Sequence, residues 1–108
     1  VSVEEIHHTE KKDAPSGTAI TLVEDILPYS DKNTWSLDHT TTDAVSIKST
    51  READVKGTHS VAFTSKIDTI TIKHEAHSRE GFAMGAVIAA EFLVSKKGIF
   101  TMKDVLGL

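Results

Sequence analysis

Between His7 and Ala19 the chain reads HHTEKKDAPSGTA, which sets two imidazoles and the Lys11 ammonium beside a turn that opens a helix. Ser16 is a strong N-cap, Pro15 stiffens the approach, and apolar residues follow at Ala19, Ile20, Leu22, Val23, Ile26 and Leu27. The first free backbone N–H groups of such a helix fall near Gly17 and Thr18, where the helix dipole favours an anion. Gly17 has no Cβ, so a ligand can approach its backbone closely. Acid–base groups therefore lie next to an anion cradle. The combination suits a small substrate bearing carboxylate or phosphate.

These groups need elements to hold them. Val1, Val3, Glu5 and His7 alternate with Ser2, Glu4, Ile6 and His8, the pattern of a strand that ends at the motif. A strand continuing through both histidines points them to opposite sides, which gives them different tasks. The helix from about Ser16 must stop at Pro28, which cannot continue the hydrogen-bond ladder. Residues 29–43 are rich in Ser, Thr, Asn and Asp and are expected to form a loop pinned by Trp35 and Leu37.

Three further strands are predicted, over Val45–Arg51, Thr58–Ser65 and Thr69–His74. The short Lys66-Ile67-Asp68 link makes the last pair an antiparallel hairpin, and the Lys56-Gly57 turn joins the earlier pair. A second helix is expected from Arg79 or Glu80 to Ser95, closed by Lys96, Lys97 and Gly98. Its interior, Phe82 to Val94, is apolar on nearly every side and needs more cover than one stripe against a sheet supplies. The expected fold is α+β: a mixed sheet of about four strands with two main helices on one face. The opposite face, rich in Thr and Ser, is open for pairing with a copy of itself.

A chain of 108 residues makes one domain. Lys and Arg number 12 against 16 Asp and Glu, and no basic stripe with interleaved aromatics occurs, so nucleic acid is not an expected partner. There are no cysteines, which removes disulfides, zinc–thiolate sites and a cysteine nucleophile together. No signal peptide or membrane span is recognisable, and a cytoplasmic setting is expected.

The string HHTEKKDAPSGTA resembles the signature of 4-hydroxy-tetrahydrodipicolinate reductase, the dihydrodipicolinate reductase of lysine (diaminopimelate) biosynthesis. The family pattern Glu-x-His-His-x-x-Lys-x-Asp-x-Pro-Ser-Gly-Thr-Ala is matched from Glu5 to Ala19. Gly57 to Val61 is similar to the family's Gly-x-His-x-Val strand. His74 to Gly85 (HEAHSREGFAMG) is similar to its His-x-Ala-x-x-Arg-x-x-Phe-Ala-x-Gly segment, and Gly98 to Leu106 to its C-terminus. Lys56 and the Glu52-Ala53-Asp54 stretch depart from it, standing where many relatives are Gly-rich. The family's Rossmann domain carries a Gly-rich fingerprint, and neither Gly-x-Gly-x-x-Gly nor Gly-x-x-Gly-x-x-Gly occurs here. The resemblance therefore implies that residues 1–108 are the C-terminal substrate-binding and oligomerisation domain, with the N-terminal Rossmann domain absent from this chain.

The same resemblance implies hydride transfer from NADH or NADPH to a cyclic dicarboxylate, giving tetrahydrodipicolinate. His7 would be the acid–base histidine and Lys11 the proton donor. His8, Gly17 and Thr18 would bind the substrate, with Arg79 steering the dianion. No residue here would bind the cofactor, the fragment alone would be inactive, and the assembly implied is a tetramer. The charge logic agrees: hydride addition leaves negative charge on the ring, which a nearby ammonium or imidazolium stabilises.

Blander readings stand beside this one. Lys11 and Lys12 alone would be solvated charges, and Pro-Ser-Gly-Thr alone a helix cap. A non-catalytic, self-associating, anion-binding module is the main alternative. His59, His74 and His77 could join His7 or His8 in a metal site, but no His-Glu-x-x-His or comparable spacing supports one, and no metal is expected. His59 and His74 read as packed or strand-pairing residues, and Asp13 as a group shaping the turn before Pro15.

Overall fold

Period-two alternation becomes a strand when one of its two residue sets finds a core. In β1 (Ser2–His7) that set is Val3, Glu5 and His7, with Val3 and Glu5 inaccessible to solvent. The computed structural model describes residues 1–39 and 41–108, so the loop expected at Thr40 lies outside the described residues. They form two compact units, Val1–His77 and Ser78–Leu108.

The first unit continues with α1 (Gly17–Ile26), a 3-10 turn (Leu27–Tyr29), β2 (Thr34–Leu37), β3 (Ala44–Arg51), β4 (Thr58–Thr64) and β5 (Thr69–Glu75). The sheet order is β2-β3-β1-β4-β5. β1 runs parallel to β3 and antiparallel to β4, β2 is parallel to β3, and β4 and β5 form the antiparallel hairpin. Ser65 N–H bonds the Asp68 carbonyl at 2.8 Å to close that hairpin. The sheet is mixed, as expected, but has one strand more than expected. β2 lies inside the segment read as a loop. The strands flanking the Lys56-Gly57 turn are not neighbours, because β1 lies between them.

One sheet face carries the core. Val3, Val45, Ile47 and Val61 pack with Ala19 and Val23 of α1, and Leu22, Ile26, Leu27 and Trp35 close around them. Ala19 and Val23 stand one turn apart, so a single stripe of α1 is buried. Burying each of the larger side chains contributes about 1.5–3 kcal/mol. Trp35 and Leu37 pin their segment as expected, but they do so as β2, paired with Val45 and Ile47. The opposite face presents Ser2, Glu4, Ser46, Lys48, Ser60, Thr69, Thr71 and Lys73, the Ser- and Thr-rich surface that the alternation predicts.

The second unit holds α2 (Glu80–Leu93) and a short α3 (Met102–Leu106). α2 ends earlier than expected because Ser95, not Gly98, takes the first left-handed step (φ 64°), and Lys96 N–H bonds the Leu93 carbonyl at 3.0 Å. Phe92 and Phe100 meet edge to face, with the Lys96 ammonium 4.5 Å from the Phe92 ring. Thr101 and Asp104 form a capping box at α3, and Gly107 closes it in the left-handed conformation. No helix among the described residues is long and apolar enough to cross a membrane.

Candidate functional site

Register brings the chemistry together. Glu5 of β1 lies opposite Ser49 of β3 and His59 of β4, and His7 lies opposite Arg51. All these side chains share the core face, at the end of β1 from which the His8–Pro15 loop departs. The Glu5 carboxylate is completely buried there, a position tolerable for a charge only with full compensation.

It has that compensation. Arg51 Nη1 reaches both Glu5 oxygens at 3.0 Å, Ser49 Oγ donates to Oε1 at 2.7 Å, and the Ser16 N–H does so at 3.2 Å. Nδ1 of His7 bonds Oε2. Burial pushes the Glu5 carboxyl upward, but the bonds from Ser49, His7 and Arg51, with the Arg51 charge, outweigh it and hold the group below its ordinary value. Glu5 is therefore a carboxylate.

The helix N-terminus is tied to the same centre. Ser16 accepts the Ala19 N–H at 3.2 Å through Oγ, which also lies 2.9 Å from His59 Nε2. Ser16 thus satisfies the third N–H of α1. Those of Gly17 and Thr18 have no acceptor among the described residues, and nothing stands within 4 Å of where a Gly17 Cβ would project. Both residues are exposed. The cradle is open, and its orientation is set by Glu5 and His59 beneath it.

Lys11 sits in the loop between these features. Its N–H bonds the His8 carbonyl at 3.2 Å, and its ammonium pairs with the Asp13 carboxylate at 3.0 Å. Lys11 in turn holds the exposed Asp13 carboxyl below its ordinary value. Such a pair is weak, so the ammonium can turn to a bound anion at little cost. Arg51 anchors this loop too, with Nε 3.2 Å from the Lys11 carbonyl and Nη2 2.5 Å from that of Asp13.

His7, Lys11, Gly17 and Thr18 thus converge on one scaffold. His8 follows the end of β1, and its side chain makes no hydrogen bond among the described residues. Arg79 is the exposed N-cap of α2 in the second unit. Glu5, Arg51 and the Ser16–His59 link were not singled out as functional. Parity could have flagged Glu5, two residues before His7 on the same strand face. Arg51 needed the β1–β3 register. His59 is a strand residue paired with His74, as expected, but it also buttresses the helix cap. No group of three or more His, Cys, Asp or Glu among the described residues is placed to hold a metal ion.

A separate cavity of about 350 Å³ is lined by Ile6, Lys56, Thr58, Lys73, Glu75 and His77, among others. Lys73 and Glu75 neutralise each other there at 3.0 Å, so it offers an anion no concentrated charge.

Comparison with known proteins adds the context. The family model described as dihydrodipicolinate reductase, C-terminus, matches residues 1–106. A 4-hydroxy-tetrahydrodipicolinate reductase from Christiangramia forsetii is 56% identical over 108 residues, covering 99% of this chain and 45% of that protein. One from Thermosipho africanus is 42% identical over 105 residues, covering 96% and 42% respectively. A solved structure of dipicolinate-bound dihydrodipicolinate reductase from Paenisporosarcina sp. TG-14 shares the fold, with a TM-score of 0.65 and 22% identity over 92% of this chain and 41% of that one. The chain spans less than half the length of these relatives.

Proposed function

This chain belongs to the dihydrodipicolinate reductase family, and we propose that it is the substrate-binding and oligomerisation domain of a cytoplasmic 4-hydroxy-tetrahydrodipicolinate reductase in lysine biosynthesis. The substrate is a small cyclic dicarboxylate, reduced to tetrahydrodipicolinate. The hydride comes from NADH or NADPH. Cofactor binding falls to a Rossmann domain outside residues 1–108, so that the fragment alone is inactive, and the lack of a Gly-rich dinucleotide fingerprint here supports this reading.

The observation that carries this reading is the coupling of two features through one buried group. The open amides of Gly17 and Thr18 and the imidazole of His7 are both referenced to Glu5, through Ser16 and through Nδ1. One substrate carboxylate accepts from the Gly17 and Thr18 N–H groups, aided by the Thr18 hydroxyl and by His8. Lys11 exchanges Asp13 for the substrate and delivers a proton as negative charge develops on the ring. His7 serves as the acid–base group through the nitrogen that Glu5 leaves free. Arg79 steers the dianion.

Titration of the folded chain with pyridine-2,6-dicarboxylate, followed through its amide resonances, tests the binding part. The family relationship supports this choice of probe, since the solved relative is dipicolinate-bound. Saturable shifts centred on Lys11, Gly17 and Thr18 are expected. Shifts confined to the cavity beside Lys56 and Lys73 would overturn the site.

A further inference from the structure

We propose that the buried Glu5–Arg51 pair positions both acid–base residues: Glu5 sets the ring of His7 through Nδ1, and Arg51 sets the loop that carries Lys11. The inference rests on the roles of His7 and Lys11 proposed above, and it adds two residues that act through them.

The first half follows from donor and acceptor chemistry. An ionised carboxylate only accepts, so the hydrogen in the His7–Glu5 contact belongs to His7 Nδ1. Nε2 is then the nitrogen left for a ligand, and it has no protein partner among the described residues. A carboxylate behind an imidazole fixes both tautomer and ring angle.

The second half follows from the guanidinium. Arg51 Nη1 is spent on both Glu5 oxygens and the Thr50 carbonyl (2.9 Å), whereas Nε and Nη2 take the carbonyls of Lys11 and Asp13. One planar group therefore sets the backbone of Lys11 against the carboxylate that orients His7. A lysine ammonium, with three donors at one point, cannot bridge these acceptors at once.

The test uses the full-length reductase that contains this chain. Glu5→Gln is expected to lower kcat about 10- to 100-fold with little change in KM, as supporting carboxylates do elsewhere. A merely structural role would instead lower the folded fraction and leave the kcat of the folded enzyme unchanged. Arg51→Lys is expected to lower kcat as well, since the loop that carries Lys11 loses its guanidinium anchor while Glu5 keeps its hold on His7. A folded Glu5→Gln enzyme with unchanged kcat overturns the proposal.

His7→Ala in the same assay separates the two levels. If it turns over normally, the acid–base reading fails; if it is crippled while Glu5→Gln is not, only the positioning role fails. Should Glu5→Gln not fold, the ring ¹⁵N shifts of His7 in the wild-type enzyme decide. A neutral ring with hydrogen on Nδ1 supports the proposal, and hydrogen on Nε2 overturns it.

Discussion

The imidazoles of His7 and His59 meet edge to face, with centroids 5.0 Å apart and planes at 71°. They come from adjacent antiparallel strands, β1 and β4, and flank the same buried carboxylate. Two imidazolium ions at this distance repel, so the second ring should stay neutral when the first is charged. His59 is the one built to do so. Burial, then the neighbouring His7, pushes its pKa down, against the opposing pull of Glu5.

This has a sign that stability measurements can read. The unfolded chain binds a proton at His59 near the ordinary value of 6.5, whereas the folded chain resists it. The unfolded state therefore holds more protons in that range. The His59 contribution is complete above the unfolded pKa and is lost as pH falls toward the lower folded one. Denaturant melts across the weakly acidic range should show this slope in the wild type and a shallower one in His59→Gln. Equal slopes would assign the dependence to another group.

Glu5 acts in a separate, more acidic window. Its carboxyl is held below its ordinary value of 4.5, so its stabilisation is complete above that value and lost as pH falls through the folded pKa. Removing its partner has a larger effect at neutral pH. Arg51→Ala leaves a buried carboxylate without its cation and should cost about 3–5 kcal/mol. Urea unfolding at neutral pH checks this, and a loss below about 1 kcal/mol would show that Ser49, Ser16 and His7 alone satisfy Glu5.

Lys11 should behave in the opposite way. Its pair with Asp13 is exposed, so Lys11→Ala should change folding stability by no more than about 0.5 kcal/mol. If Lys11 is the proton donor proposed above, the same substitution in a full-length reductase should lower turnover by about two to four orders of magnitude, the usual range for a lost general acid. Unimpaired turnover by a folded Lys11→Ala enzyme would remove Lys11 from the mechanism.

Local signals revealed the motif and most of the elements, and non-local pairing supplied what they could not. Alternation located β1, β3, β4 and β5, and the Ser16 cap and Pro28 bracketed α1, because each of these depends on neighbours a few residues away. β2 escaped because Thr34–Leu37 is short and set among turn-forming residues. What makes it a strand is the β3 edge beside it and the core that Trp35 reaches. The insertion of β1 between β3 and β4 leaves no mark on local periodicity, and the Glu5–Arg51 contact depends on it. Hence the motif residues proposed to face the substrate were legible as a motif, whereas the Glu5–Arg51 contact behind them was not.

The surfaces left uncovered lead to the last prediction. Phe82, Met84, Val87 and Ile88 of α2 are each about half exposed, far more apolar surface than one amphipathic stripe leaves in water. Separately, the sheet presents its Ser- and Thr-rich face, with hydroxyls able to pair across a symmetric contact. Self-association is the expected outcome for both, and sedimentation equilibrium should give a multiple of the 11.7 kDa chain mass. Val87→Glu places a charge on the helix surface, and Thr71→Glu places one on the sheet face. The variant that dissociates the oligomer identifies the surface in use. A wild-type chain that remains monomeric at high concentration would show that neither surface is used by a second copy.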